Sequence, residues 1–279
     1  MTDAILQIEG LTKRFGGVLA SDAITLAVPP GELHAVIGPN GAGKTTLIGQ
    51  LSGELKPDAG TIRFHGRDIT ALPVHRRSAL GLARTFQITS LFPDFTALDN
   101  VSLAVQAHRG HSFRFWSAAR KDAYLREPAR AALNRVGLEG RADVVVSRFS
   151  HGEQRQLEIA LALATGPRLL LLDEPMAGIG PDESAHMVRT LQALKREVTI
   201  LLIEHDMQAV FALADRITVL VYGRVIASGA PDAIRNNTEV RKAYLGSPQE
   251  KADETAVEQV AAEGAAGVRP GARQGVHDD

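Results

Sequence analysis

The chain contains no cysteine in 279 residues, which excludes a disulfide framework, a cysteine metal site and a thiol nucleophile, and fits a reducing compartment. It also lacks an excess of either charge. With 31 Lys and Arg against 32 Asp and Glu the formal net charge is −1, so no global basic field argues for a nucleic-acid partner, and none is expected. Long hydrophobic runs are missing too: none approaches the ~18 apolar residues of a membrane span. The amino-terminal "MTDAILQIEGLTKRFGG" has no basic segment leading into an apolar run, so no signal peptide is expected. None of these absences argues against a membrane-bound partner. Residues 247–279 lack Leu, Ile, Phe, Tyr, Trp and Met, and carry seven acids against three Lys or Arg. With so little to bury, ordering them goes uncompensated, and a disordered tail is expected after "AYLG" (243–246).

What is present is enough apolar residue, 44%, to build a substantial core, as one large domain or a domain with a subdomain. "ILQIE" (5–9) and "ITLAV" (24–28) have strand character, the second running into the Pro29-Pro30-Gly31 turn. "LHAVIG" (33–38) is a short apolar run entering a Gly-rich loop, and "KTTLIGQLSG" after it has helical character. "RLLLLDEP" (168–175) and "TILLIEHD" (199–206) are continuous apolar runs with polar ends, the pattern of parallel strands buried on both faces. "RITVLVYGRVIASG" (216–229) reads as two strands around a Tyr222-Gly223 turn. In 94–150, Ala, Leu and Arg dominate and strand signals are sparse, so an inserted helical subdomain is expected there.

"GPNGAGKT", Gly38 to Thr45, matches G-x-x-x-x-G-K-[ST] between a strand and a helix. Gly41 and Gly43 let the backbone curl so that successive N–H groups point at phosphate oxygens. Lys44 brings a positive charge to the β and γ phosphates, and the Thr45 hydroxyl can ligate Mg²⁺. The expected nucleotide-contacting stretch is therefore Gly38, Pro39, Asn40, Gly41, Ala42, Gly43, Lys44, Thr45 and Thr46. In an open parallel sheet, ligands bind beyond the carboxyl ends of the strands, so Asp173 and Glu174 at the end of "LLLLDEP" should face this loop. A turn at Pro175 would let both acids point there, Asp173 to the Mg²⁺ shell and Glu174 to an attacking water. His205 ends a third such strand and is expected at the γ-phosphate, ordering that water. Glu204 and Asp206 are expected to be solvated neighbours. "SHGEQ" (150–154) lies where another helix begins, a place suited to an anion.

The order strand–"GPNGAGKT"–helix, "TFQ" (85–87), "SHGEQ", "LLLLDEP" and "LLIEH" resembles the ATP-binding-cassette ATPases over about residues 5–246. The resemblance implies an α/β fold: a P-loop NTPase core from 1–93 and 151–246 with an antiparallel β subdomain, and a helical subdomain, 94–150, ending at the signature motif. It implies two cassettes packed head to tail around two ATP molecules, with Ser150, Gly152 and Glu153 at the ATP held by the partner. It places Gln87 at Mg²⁺ and the attacking water, in a loop facing a transmembrane partner, and Phe15 on the adenine ring. Two departures stand out: His151 replaces the second residue of "SGGQ", and Gly180 stands where most cassettes carry an aspartate for communication between subunits.

Within the family, "RTFQITSLFPDFTALDNV", "LLLLDEPMAGIGPDE" and "IRNNTEVRKAYLG" are most similar to ATPase subunits of bacterial branched-chain amino acid importers. That implies a peripheral protein at the cytoplasmic face of the inner membrane, working with permease subunits, an extracytoplasmic solute-binding protein and a second ATPase, identical or a sister. In residues 108–130, six Arg or Lys with Phe113, Phe115 and Trp116 could seat a permease's cytoplasmic helix or form an exposed basic face over core aromatics. A lipopolysaccharide-export cassette shares the "AYLG" ending and is an alternative. A soluble cassette of translation or DNA maintenance is another, although those usually carry fused cassettes or long coiled-coil insertions. Glu174 and His205 argue against a cassette that only binds nucleotide.

Overall fold

The computed structural model describes residues 4–85, 91–109 and 122–245. In chain order the strands there are β1 (Leu6–Phe15), β2 (Val18–Val28), β3 (Leu33–Ile37), β4 (Ala59–Phe64), β5 (Arg67–Asp68), β6 (Leu82–Arg84), β7 (Leu169–Asp173), β8 (Thr199–Ile203), β9 (Arg216–Val221) and β10 (Arg224–Gly229). The helices are α1 (Lys44–Ser52), α2 (Val74–Ala79), α3 (Ala97–Arg109), α4 (Ala123–Arg135), α5 (His151–Leu163), α6 (Pro181–Leu194), α7 (Met207–Leu213), α8 (Pro231–Arg235) and α9 (Thr238–Leu245). Strands β4, β5 and β6 carry no signal in the sequence reading, being short or turned tightly at His65-Gly66.

The apolar runs become the parallel centre of a six-stranded sheet ordered β6-β7-β8-β3-β9-β10, with β10 antiparallel at one edge. Alternate residues go to opposite layers. Leu170 and Leu172 join a core with α3 to α7, while Leu169 and Leu171 join a second core with α1 and the antiparallel sheet β2-β1-β4-β5. A strand apolar on both faces gains nothing in register from its alternation. The polar residues at the strand ends supply that information, and Asp173 sits opposite Ile203 where the β7–β8 ladder finishes.

Helix α1 hangs from β3 by the Gly-rich loop. Its last carbonyls, on Gln50 and Leu51, accept from the buried Arg77 guanidinium at 2.7 and 2.8 Å, a cation at the negative end of the helix dipole. Burial pushes the Arg77 pKa down to about 10. Between β6 and α5, helices α3 and α4 pack side by side, and Pro128 interrupts the hydrogen-bond ladder of α4. Pro128 has no N–H for the Tyr124 carbonyl, and Arg109 of α3 donates to that carbonyl instead at 3.1 Å. Among the described residues of this stretch the β-type contact is a single bridge, Thr96 to Val145.

Candidate nucleotide site

Because β7, β8 and β3 are parallel neighbours, the segments after them emerge side by side on one edge of the sheet. The loop after β3 has the curl that its glycines allow: φ is 79° at Gly41 and 101° at Gly43, the left-handed residue that caps α1. Gly38 and Gly43 are also needed for close approach. A Cβ on Gly38 would lie 2.2 Å from the Leu220 carbonyl oxygen, and one on Gly43 would lie 2.2 Å from that of Ala20. The expected hairpin turn, Tyr222-Gly223, braces the loop from behind, with Gly223 N–H donating to the Ala42 carbonyl at 2.9 Å. Lys44 is buried and its ammonium donates to the Gly38 and Pro39 carbonyls at 2.5 and 3.1 Å. Its charge thus lies across the loop, while Asn40, Gly41 and Thr45 are exposed and Thr46 is half-buried.

Asp173 is buried at the end of β7, and burial raises its pKa against the opposing pull of Arg84, whose guanidinium donates to it at 3.0 Å. Arg84 also bonds Glu54 at 2.5 Å, so it ties the strand end to the residues after α1. The turn expected after Asp173 occurs at Glu174 itself, with φ of 48°, and the Glu174 N–H closes the ladder on the Ile203 carbonyl at 2.9 Å. Its carboxylate lies 3.9 Å from His205 Nδ1, and the His205 side chain is 60% exposed, free to meet a ligand.

The expectation of a solvated acid beside His205 is corrected for Glu204 and not for the half-buried Asp206. Glu204 is fully buried, accepting from Met176 N–H at 2.9 Å and from His205 and Asp206 N–H at 2.9 and 3.4 Å. Burial pushes its pKa up, against those three N–H groups. Asp206 caps α7, accepting from Ala209 N–H at 3.1 Å. Hydropathy marks both as polar and says nothing about depth; the neighbouring strand end covers Glu204.

Ser150 caps α5, accepting from Glu153 N–H at 3.2 Å while its own N–H donates to Glu153 at 3.0 Å. Arg141 holds the same carboxylate, 3.0 Å from its Nε. Within the chain the Glu153 oxygens are engaged by Ser150 and Arg141, as the Ser-x-x-Glu spacing of a capping box allows. The Ser150 hydroxyl donates to Glu183 of α6 at 2.6 Å. That bond holds the Glu183 carboxyl below its usual value, and a Cβ on Gly152 would meet the same side chain at 2.6 Å.

Phe15 is 47% exposed with the Lys13 ammonium 5.6 Å from its ring centroid, so it is not the core phenylalanine that its type alone would favour. Gln87, the aromatic residues Phe113, Phe115 and Trp116, and the expected tail lie outside the described residues. Sequence reasoning missed Arg84, Glu183 and Glu204; the capping-box spacing is the one local signal that bears on this group. Among the described residues no helix is long and apolar enough to cross a membrane.

The sequence model of the ABC transporter family matches residues 21–177, more than half of the chain, and one for branched-chain amino acid ATP-binding cassette transporters matches 224–249. The chain is 41% identical to the high-affinity branched-chain amino acid transport ATP-binding protein BraF of Pseudomonas aeruginosa, over 88% of this chain and 99% of that one. It is 39% identical, with the same coverage, to LivG of Escherichia coli, which has the same description. Among solved structures, the ADP conformation of MJ1267, an ATP-binding cassette of an ABC transporter, superposes with a TM-score of 0.77 at 29% identity, over 88% of this chain and 99% of that one. The chain belongs to the ABC transporter family, as one of its ATP-binding, ATP-hydrolysing cassettes.

Proposed function

We propose that this cassette powers import of branched-chain or related amino acids, as one of two ATPase subunits seated on permease subunits at the cytoplasmic face of a bacterial inner membrane. The observation that carries the ATPase part is the single sheet edge holding Lys44, Asp173, Glu174 and His205, with Glu174 3.9 Å from His205. The choice of solute rests on relatives named for branched-chain amino acid transport, and an extracytoplasmic binding protein would supply it.

In this reading the exposed face of Phe15 takes the adenine ring. The loop N–H groups and Lys44 hold the phosphates, Lys44 exchanging its bonds to Gly38 and Pro39 for phosphate oxygens. One buried carboxylate and one hydroxyl, with no group of three or more acidic or histidine side chains able to hold a metal among the described residues, fit a Mg²⁺ carried mainly by phosphates and water. Asp173 and Thr45 would hold it, with Gln87, and it would neutralise charge on the transferring phosphate. Glu174 accepts the proton of the attacking water, and His205 orients that water against the γ-phosphate. Ser150 and Gly152 reach the γ-phosphate of ATP bound by the second cassette, while Glu153 keeps the helix end in shape. An apolar cavity of 230 Å³ lined by Val74, Leu82, Leu91, Ala104 and Leu161 opens beside Arg84. It is the proposed permease seat, because Arg84 connects it to Asp173.

Glu174→Gln in the assembled transporter tests both parts. The amide cannot take the proton, so ATP binding is expected to persist while hydrolysis and uptake of leucine, isoleucine and valine stop. Hydrolysis at the parent rate overturns the role of Glu174. Lost hydrolysis with unchanged branched-chain uptake overturns the transport assignment.

A further inference from the structure

Glu204 is a fully buried carboxylate that no step above uses. It stands one residue past the end of β8, where the backbone ladder with β7 has run out: the last rung is the Glu174 N–H on the Ile203 carbonyl. Beyond that rung its two oxygens take over. Oε1 accepts from Met176 N–H, two residues after Glu174, at 2.9 Å, and Oε2 accepts from His205 N–H at 2.9 Å and Asp206 N–H at 3.4 Å. Oε2 also lies 3.6 Å from His205 Nδ1. The group therefore clamps the turn that carries Glu174 to the turn that carries His205.

The clamp meets a physical need. Glu174 is a non-glycine residue at φ of 48°, a strained conformation that persists only where its surroundings over-determine it. The backbone is fixed before Glu174 by Ile203 and after it, at Met176, by Glu204. A carboxylate suits the position because all three partners are N–H donors, and an acceptor-only group opposes none of them. An amide has one acceptor oxygen, and its NH₂ would face an N–H.

We infer that Glu204 is a positioning residue for ATP hydrolysis, holding Glu174 and His205 in one fixed relation without touching nucleotide. The inference rests on the reading of Glu174 and His205 given above. The test uses the full-length chain in the purified transporter, measuring ATP affinity by titration and hydrolysis in single turnover. Glu204→Gln is expected to lower the hydrolysis rate by about 10- to 100-fold, the cost of misplacing reacting groups by about an ångström, with ATP affinity within twofold. Because it acts through Glu174, Glu204→Gln added to Glu174→Gln should slow hydrolysis no further. A purely structural role would lower affinity and rate together or multiply the two defects. Should Glu204→Gln fail to fold, Glu204→Asp keeps the charge but is one methylene short of Met176, and the same loss is expected.

Parent-like hydrolysis by Glu204→Gln, or affinity falling as far as rate, overturns the inference while leaving an inactive Glu174→Gln to support the reading beneath it. Parent-like hydrolysis by Glu174→Gln overturns both.

Discussion

Helices α1 and α5 begin at the two stretches proposed to contact phosphate, and they begin differently. Helix α1 starts from Gly43 in the left-handed region, with no side-chain cap and no acidic residue in its first turn. Helix α5 starts from Ser150 with a complete capping box, and the Ser150 hydroxyl is engaged by Glu183. No side chain caps the α1 end, although Lys44 lies across the loop, and the loop gets its shape from packing against the Ala20 and Leu220 carbonyls and the Gly223 N–H. At the α5 end the Ser150 hydroxyl accepts the Glu153 N–H and the Glu153 carboxylate accepts the Ser150 N–H. A site that binds its ligand within one chain has to keep donors accessible and be rigid for other reasons. A helix end that meets a ligand only when another subunit brings it, as proposed for α5, would otherwise carry unsatisfied donors, and here the chain's own side chains satisfy them.

Lys44→Ala breaks the first half of this comparison most severely. Removing a charge-assisted contact worth ~1.5–3 kcal/mol should weaken ATP binding by about 100-fold, read by equilibrium titration of the single chain. Ser150→Ala should leave the same titration within twofold. Equal losses in the two variants would mean that both motifs serve one ATP within one chain.

The glycines sharpen the contrast. At Gly43 an added methyl meets both a φ of 101° and a backbone oxygen 2.2 Å away, neither of which can move cheaply. Strain of ~2–3 kcal/mol should lower the melting temperature of Gly43→Ala by roughly 5–10 °C. At Gly152 the methyl meets the Glu183 carboxyl carbon at 2.6 Å, which can swing aside, and the Glu183 Cβ at 2.9 Å, which moves only with α6. No left-handed φ adds to this, and alanine favours helix. An overpacking cost of ~1 kcal/mol should lower the melting temperature of Gly152→Ala by about 2–4 °C, less than at Gly43. Comparable losses at the two positions would show that the α5 end is as rigidly built as the phosphate loop.

The same contrast explains what was legible in the sequence. "GPNGAGKT" is local, each residue acting through its own backbone, and the apolar runs of β7 and β8 declare burial on both faces. Long-range partners were not legible. Arg84 meets Asp173 across 89 residues and Glu183 meets Ser150 across 33, and nothing in either segment names the other. Glu204 failed for a related reason: a polar residue after an apolar strand reads as solvated until the next strand is known to cover it. The role of Glu153 in the cap was legible, since its spacing from Ser150 spells a capping box.

Glu183→Gln is the finest test of the difference between the two helix ends. The Glu183 carboxylate accepts the Ser150 hydroxyl at 2.6 Å and the Gly180 N–H at 3.4 Å, and it fills the space over Gly152. In the proposed pair of cassettes, the partner's γ-phosphate approaches Ser150 and Gly152. Carboxylate and phosphate then compete for one hydroxyl and repel each other. Glutamine keeps the size and removes the charge. Its one oxygen can still accept the Ser150 hydroxyl, while the longer bond from the Gly180 N–H, made to the other carboxylate oxygen, is given up, so the α5 cap stays formed while the competition weakens. Pairing is best measured by light scattering against ATP concentration, with Glu174→Gln present in both proteins to suppress hydrolysis. The ATP concentration at half-pairing should fall by about two- to fivefold, and the gap should narrow as salt screens the repulsion. An unchanged midpoint would show that Glu183 leaves Ser150 without resistance. A midpoint shifted to higher ATP would make Glu183 part of the phosphate's seat, and the two helix ends would then differ in geometry without differing in purpose.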